Sequence, residues 1–255
     1  MLRRVDYYTF TIMNIPYFFL PPQSWGPEPI LTGQEARHLS QVLRLTPGQD
    51  IMLLDGCGRK GLCRIEAASK KNVQLRLLEE HYEDSPCASA VIALAFSKAV
   101  RRGFFMEKAV ELGAQGIWLW QGDHSQGKIS AQTAEACLGQ MIAGAKQCGN
   151  SWLPEVRALK GGVDELLRMS EKADYRILPW EMQEDLPMLT SEIAGRPGLS
   201  IYVIGPEGGF SARELKALKQ GGFMPVSLGA RVLRCETAAT LCLGIHWWSS
   251  HLHKL

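Results

Sequence analysis

Short apolar runs alternate with helical stretches from Ala90 onward. Ala90–Phe96, Gly116–Trp120 and Ile201–Ile204 have the length and the β-branched and aromatic content of buried strands, and a helix is predicted between the first two, over Phe104–Leu112. Further elements are predicted as helices over Ala131–Gln147, Leu186–Ala194 and Thr237–Trp248, and as strands over Asp174–Glu181 and Met224–Leu228. Strands that alternate with helices form mostly parallel sheets covered on both faces. The pattern therefore predicts an α/β domain.

The residues before this region follow a different pattern. Apolar runs between Pro16 and Glu83 are separated by turn signals, and Gly61–Ile65 and Asn72–Leu77 alternate as half-buried strands do. Thr32, with Glu35 three residues later, predicts the start of a short helix. These features predict a small β-barrel with one inserted helix.

A polar break at Glu83–Pro86 predicts the domain boundary. We therefore divide the chain into an N-terminal extension over 1–14, a β-barrel over 15–84 and an α/β domain over 85–255. Met13 is a plausible true start, because the recognisable pattern begins just after it.

Two glycine loops follow predicted strands in the α/β domain. Gly205–Gly209 comes directly after Ile201–Ile204, and Gly229 opens a second loop after the next strand. Ser211 and Glu214 form a capping-box pattern, which predicts that a helix starts behind the first loop. Because ligands of open α/β sheets bind at the carboxyl ends of the strands, we expect both loops to line one site.

The first loop favours a neutral or cationic ligand held by backbone groups. It has neither the lysine and serine of a P-loop nor the GxGxxG of a dinucleotide site, and Glu207 in the turn disfavours a pyrophosphate. Glycines let a backbone approach its ligand closely. A nicotinamide-dependent oxidoreductase is therefore disfavoured.

Composition adds few constraints. A formal net charge of +2 gives no strong field, so a nucleic-acid surface would be a local patch. The 7 cysteines include no CxxC pair, which favours reduced thiols in a cytoplasmic protein and no metal site. No stretch approaches the roughly 18 consecutive apolar residues of a membrane span, and the N-terminus has no signal-peptide pattern.

The two glycine loops carry a family resemblance. GPEGGFS over Gly205–Ser211, followed by LGARVLRCETA over Leu228–Ala238, resembles the two cofactor-loop motifs of the SPOUT methyltransferases. More narrowly, the pair resembles the bacterial family that methylates N3 of a uridine in 16S ribosomal RNA of the small subunit. The resemblance implies a SPOUT trefoil-knot domain, S-adenosyl-L-methionine as cofactor and a homodimer. The knot is implied by the resemblance alone, because knots are rare among folds.

The resemblance also implies residue roles at the cofactor site. The expected cofactor-binding residues are Leu178, Ile204, Gly205, Pro206, Glu207, Gly208, Gly209, Leu228, Gly229, Val232, Leu233 and Thr237. Arg234 is expected to orient the uracil and to stabilise negative charge on its carbonyl oxygens, the alternative being a salt bridge that holds the loop. Glu236 is either the base that removes the N3 proton or a cap of the final helix.

A second resemblance concerns RNA. Ala36–Leu39 and Val42–Gln49 resemble the PUA-like RNA-binding β-barrel of the same family, although a solvated basic surface would have the same composition. The expected RNA-binding residues are Arg37, His38, Arg44, Arg64, Lys98, Arg101 and Arg102.

Two positions depart from the family pattern. His124 and Asn150 stand where the family usually has arginines. These departures keep open an alternative function, a non-catalytic or retargeted RNA-binding SPOUT-like protein. The intact glycine loops favour the enzyme.

The last predicted helix indicates an assembly. Thr237–Trp248 is apolar on nearly every side, and such a helix must be buried. One domain face is not enough to cover it, so we expect a homodimer. A core helix of a monomer is the alternative.

Overall fold

The computed structural model describes residues 15–85, 89–181 and 185–252. The predicted extension over 1–14 and Pro86 of the predicted boundary lie outside these ranges. The chain forms two compact units, and the boundary between them along the sequence falls between Glu83 and Asp84.

The N-terminal unit is a five-stranded sheet. Its strands are β1 (Tyr17–Phe19), β2 (Ile30–Thr32), β3 (Asp50–Leu54), β4 (Arg59–Ala68) and β5 (Asn72–Tyr82). They lie in the order β1-β3-β4-β5-β2, with β1 parallel to β3 and the other pairs antiparallel. Irregular register within the β4–β5 pair marks β-bulges, which bend a sheet. The predicted barrel is therefore a half-barrel with β1 and β2 at its edges.

A short helix closes over this sheet. Helix α1 (Gly33–Arg37) starts after Thr32, as predicted, and a wider turn over His38–Val42 continues it. The Thr32 side chain makes no capping hydrogen bond, and Glu35 instead accepts the N–H of Phe19 at 3.2 Å. The helix thus starts at the predicted place, but Glu35 ties it to β1. Leu39 packs with Ile51, Val73 and other apolar residues of the sheet.

The C-terminal unit is a six-stranded parallel sheet. Its strands are β6 (Ala90–Ala95), β7 (Gly116–Trp120), β8 (Glu155–Leu159), β9 (Tyr175–Pro179), β10 (Ser200–Ile204) and β11 (Met224–Val226), in the order β11-β9-β10-β6-β7-β8. All residues of β6, β7 and β10 are buried, as expected of strands covered on both faces. The predicted α/β class is confirmed.

Within the residues described, six α-helices cover the two faces of this sheet. They are α2 (Ala99–Glu111), α3 (Leu138–Cys148), α4 (Gly162–Met169), α5 (Ser191–Ala194), α6 (Ala212–Gln220) and α7 (Cys235–Leu252). Helices α4 and α6 contact each other, while α2, α3, α5 and α7 form a second group in which α7 lies on β6 and β10. None of the helices described is long and apolar enough to cross a membrane.

Several predicted bounds were wrong. Helix α2 begins at Ala99 rather than Phe104, and α3 begins at Leu138 rather than Ala131. Of the helix predicted over Leu186–Ala194, only α5 forms, while α7 extends beyond its predicted ends. Strand β8 was missed, because half-exposed Glu155–Leu159 has only a weak apolar signal.

Candidate functional site

A cavity of about 310 Å³ opens at the carboxyl ends of β9 and β10. Such an edge is where α/β sheets bind ligands, and the volume suits a small molecule. The lining residues are Arg101, Pro179, Trp180, Glu181, Ile204, Gly205, Pro206, Glu207, Gly209, Phe210, Leu228, Gly229, Arg231, Val232, Leu233, Arg234, Cys235 and Ala238. Both predicted glycine loops therefore meet at one cavity.

The first glycine loop folds back over a buried tryptophan. Phe210 stacks on Trp120 at a ring-centroid distance of 6.0 Å, and Trp120 Nε1 donates to the Ile204 carbonyl oxygen at 3.2 Å. A Cβ atom on Gly205 would come within 2.8 Å of the Phe210 ring. Glycine is thus required at 205 for the loop to turn this tightly.

A hydrogen-bonded network fixes the far end of this loop. Ser211 and Glu214 form the predicted capping box, which is confirmed. Glu214 also accepts the Asp123 N–H at 2.8 Å, and Ser211 Oγ donates to Asp123 Oδ2 at 2.6 Å. The hydroxyl of Ser211, followed by Arg213, lowers the pKa of the Asp123 carboxyl. The loop after β7 is therefore tied to the start of α6.

His124 clamps the same glycine loop. Its Nδ1 atom lies 3.2 Å from the Gly208 carbonyl oxygen and 3.0 Å from that of Gly209. Because carbonyl oxygens only accept, Nδ1 must carry the hydrogen. A Cβ atom on Gly208 would lie 2.9 Å from the His124 Cβ. Gly208 thus packs against His124 and is not among the residues that line the cavity.

Asn150, the other departure from the family pattern, has a local structural role. Its side-chain amide donates to the Val110 carbonyl oxygen at 2.8 Å, and its Oδ1 accepts the Trp152 N–H at 2.9 Å. Asn150 therefore fastens the end of α3 to α2.

The second glycine loop supplies apolar and basic groups. Gly229 has φ 113°, a conformation that favours glycine, and its N–H donates to Ser227 Oγ at 3.1 Å. Val232 and Arg234 are exposed at the cavity. Arg234 forms no ion pair with any carboxylate of the described chain, so the salt-bridge alternative for this residue has no support.

A charge cluster lies beside the cavity. Arg101 Nη1 lies 2.5 Å from Glu207 Oε1, and Arg101 Nε lies 4.0 Å from Glu236 Oε1. Cys235 Sγ donates to Glu236 Oε2 at 3.3 Å. Burial, followed by the Glu236 carboxylate, raises the pKa of the Cys235 thiol to about 11, so Cys235 is a thiol at neutral pH.

The structure gathers most of the expected cofactor and catalytic residues. Ten of them line the cavity, namely Ile204, Gly205, Pro206, Glu207, Gly209, Leu228, Gly229, Val232, Leu233 and Arg234. The expected residues outside the lining are Leu178, Gly208, Thr237 and Glu236. Leu178 is fully buried in the core, and the side chain of Glu236 is buried at the start of α7.

Other lining residues were not expected there. Trp180 follows β9 directly, and its place after a strand was the signal that could have identified it. Arg231 and Phe210 lie within the quoted motifs. Arg101 was expected at an RNA surface, and the helix that carries it instead directs it to Glu207.

The other expected RNA-binding residues have mixed surroundings. Arg102 donates to the Ser97 carbonyl oxygen and lies 4.2 Å from the Phe96 ring centroid, whereas Lys98 is exposed. In the N-terminal unit, Arg37 and Arg44 are exposed, His38 lies beside Phe18, and Arg64 pairs with Asp50 at 2.8 Å. No group of three potential metal ligands occurs within the described residues.

Known proteins share both units. Residues 83–247 match the family model for an RNA methyltransferase domain, and residues 31–78 match that for an RNA methyltransferase PUA domain. The ribosomal RNA small subunit methyltransferase E of Synechocystis is 30% identical over 217 residues, which cover 84% of this chain and 70% of that protein.

Two solved structures of methyltransferases are similar to this chain over most of its length. A putative methyltransferase from Legionella pneumophila, in complex with bound S-adenosylmethionine, superposes with a TM-score of 0.83 at 28% identity and covers 92% of this chain and 98% of its own. The ribosomal RNA small subunit methyltransferase E of Neisseria gonorrhoeae, bound to S-adenosylmethionine, gives 0.77 at 26% identity, with 90% and 95% covered.

Proposed function

Because this chain belongs to the RNA methyltransferase family, in its ribosomal RNA small subunit methyltransferase E group, we propose that it methylates N3 of a uridine in 16S ribosomal RNA. S-adenosylmethionine, which is bound in two of the similar solved structures, is the methyl donor. The observation that carries this proposal is the meeting of the two motif loops at one cavity.

The cavity fits the cofactor. Ile204, Leu228 and Leu233 supply apolar surface, while Gly209 and Gly229, which have no side chains, leave their backbone groups uncovered. When bound, S-adenosylmethionine supplies a methyl group already activated on a sulfonium. The protein is left with binding, alignment and removal of the N3 proton.

Arg234 is suited to stabilise negative charge on the uracil ring. When N3 loses its proton, negative charge spreads to the flanking carbonyl oxygens, and a fixed cation stabilises it. Arg234 is exposed at the cavity, carries a permanent charge and has no ion-pair partner in the described chain. We therefore assign it to the uracil carbonyls.

Basic residues of both units would hold the RNA. Arg37, His38, Arg44 and Arg64 belong to the PUA-like unit, and Lys98 lies at the start of α2. Their side chains suit phosphate oxygens, which position an RNA without reading its sequence. A ribosomal substrate would place the protein in the cytoplasm.

Helix α7 supports a homodimer. Leu241, Trp247, Trp248 and Leu252 keep 37–60% of their surface exposed on this helix. Leu241, Trp248 and Leu252 are seven and four residues apart and so share one face of the helix, and an exposed apolar stripe of this kind is typical of an interface between protein chains. We infer that a second copy of the chain covers it.

Nucleoside analysis tests the proposed reaction. Mass spectrometry of 16S ribosomal RNA from cells that lack the gene should show the loss of one N3-methyluridine, and the purified protein with S-adenosylmethionine should restore it. Naked RNA and assembled small subunits should be compared as substrates. An unchanged nucleoside profile in the deletion strain would contradict the proposal.

A further inference from the structure

Two carboxylates share one guanidinium beside the cavity. Arg101, at the start of α2, is the described cation that pairs with either Glu207 or Glu236. Both Arg101 and Glu207 line the cavity, while Glu236 does not. The cluster therefore has more carboxylates than cations.

The two carboxylates differ in what their oxygens contact. Glu236 Oε2 accepts the thiol of Cys235, and its Oε1 faces Arg101. Glu207 Oε1 is held by Arg101, while Glu207 Oε2 is shielded from solvent and has no hydrogen-bond partner in the described chain. A buried acceptor without a donor is unfavourable, so this oxygen is suited to take a proton donor from a bound molecule.

We propose that Glu207 is the catalytic base that removes the N3 proton of the target uridine, a proposal that rests on the proposed function. Arg101 is the positioning residue that fixes the carboxylate by its other oxygen. Glu236, the base considered from the sequence, is less suited because it lies outside the cavity lining and its Oε2 is already engaged.

The proposed step conserves atoms and charge. The N3–H bond breaks, and its proton passes to Glu207 Oε2. The electron pair left on N3 forms the bond to the methyl carbon. The pair of the carbon–sulfur bond stays with sulfur, which leaves as the neutral thioether of S-adenosylhomocysteine. The carboxylate and the sulfonium thus become two neutral groups, and N3-methyluridine is formed.

The pH dependence of a single turnover tests the base. We expect a nearly flat rate for the wild-type protein between about pH 6 and 8. Glu207→Gln should lose roughly 10²-fold in rate near neutral pH, within the usual range for general-base catalysis, and its rate should rise about tenfold per pH unit, because N3 must then lose its proton to solvent. Glu192→Gln, which removes an exposed carboxylate on α5, should behave as wild type.

Further measurements separate chemistry from binding and folding. Glu207→Gln should bind S-adenosylhomocysteine within about twofold of wild type, and its melting temperature reports folding. Glu207→Ala should regain rate when formate is added as a small external carboxylate. Arg101→Met should methylate slowly, at a rate that does not change with pH. Arg101→Lys should recover part of the wild-type rate.

Three outcomes would overturn the assignment. If Glu207→Gln reacts at the wild-type rate and this rate does not change with pH, Glu207 is not the base. Weaker S-adenosylhomocysteine binding in Glu207→Gln with an unchanged profile makes Glu207 a cofactor ligand. If Glu236→Gln has a pH-dependent rate and Glu207→Gln does not, Glu236 is the base. All three leave the proposed function standing, provided that the wild-type product has the mass of N3-methyluridine and co-elutes with that standard, whereas another product overturns both.

Discussion

At the scale of single residues, Gly208 acts through His124. A side chain at 208 would meet the His124 Cβ at 2.9 Å, so the loop after β7 would have to move. The sequence motif predicted that Gly208 approaches the cofactor itself, but the structure places it outside the cavity lining. The requirement for glycine therefore comes from packing between two protein loops.

A double-mutant cycle tests this explanation. Gly208→Ala should weaken S-adenosylhomocysteine binding roughly tenfold, the scale at which contacting residues usually couple, because it displaces the His124 clamp. In a His124→Gly background, which frees the space, the same change should have little effect. Isothermal titration of the four proteins measures the coupling. Equal losses in both backgrounds would show that residue 208 contacts the ligand directly.

Arg234 gives the second prediction at this scale. Arg234→Ala should lose roughly 10²-fold or more in methylation rate, the usual loss for a charge-stabilising group. Folding and S-adenosylhomocysteine affinity should be retained, because the side chain is exposed and forms no ion pair within the described residues. Arg168→Ala, which removes an exposed arginine of α4, is the matched control. Near wild-type turnover would leave Arg234 without a catalytic role.

At the scale of elements, α7 carries a buried histidine against the sheet. The Tyr202 hydroxyl lies 3.1 Å from His246 Nδ1, and His246 Nε2 is buried without a hydrogen-bond partner in the described chain. Burial lowers the pKa of His246 from 6.5 to about 4. Because the folded protein keeps the imidazole neutral, α7 docks most firmly when His246 carries no proton.

Stability should therefore fall in acid. Between about pH 6.5 and 4, His246 is protonated in the unfolded chain but neutral in the folded chain. The free energy of unfolding is therefore highest above pH 6.5 and falls as the pH decreases through this window. The loss attributable to His246 is at most about 3.5 kcal/mol. Urea unfolding at several pH values should show a shallower fall for His246→Gln. His251→Gln, which changes an exposed histidine of the same helix, should keep the wild-type slope, and equal slopes in all three would contradict the assignment.

Element types were predicted better than element ends. The buried strands of the parallel sheet stood out because their apolar runs are continuous, and β7 has the predicted bounds. Helix α2 was started too late because the basic run over Ser97–Arg102 favoured a loop. On α3, a Cβ atom at Gly144 would come within 3.0 Å of the Glu107 carbonyl oxygen of α2, so this glycine serves helix packing, which no local pattern reveals.

The candidate site was predictable as loops but not as individual contacts. The two glycine motifs identified nine lining residues, and the end of the preceding strand identified a tenth, Ile204, because chain order places both loops after strands of one sheet. The pairing of Arg101 with Glu207 could not be read from the sequence, because it joins residues 106 positions apart across the fold. The burial of Leu178 likewise depends on packing across the fold, because Ile177, Leu178 and Pro179 at the end of β9 are all buried.

At the scale of the whole molecule, the exposed apolar residues of α7 predict assembly. Light scattering at micromolar concentration should give the mass of a dimer. Trp248→Asp should give a monomer, because it places a charge where 60% of a tryptophan is exposed. Ile30→Asp, on a strand of the N-terminal unit, should leave the dimer intact. A monomer mass for the wild type would contradict the prediction.

We expect the continuity of α7 to link cofactor occupancy thermodynamically to the proposed assembly. Its first residue, Cys235, lines the cavity, and its later turns carry Trp247 and Trp248. A ligand that orders the start of this helix favours the conformation in which the later turns meet a second copy. Such coupling is reciprocal, so diluting the protein until dimers separate should weaken ligand affinity by the same factor that saturating ligand tightens the dimer.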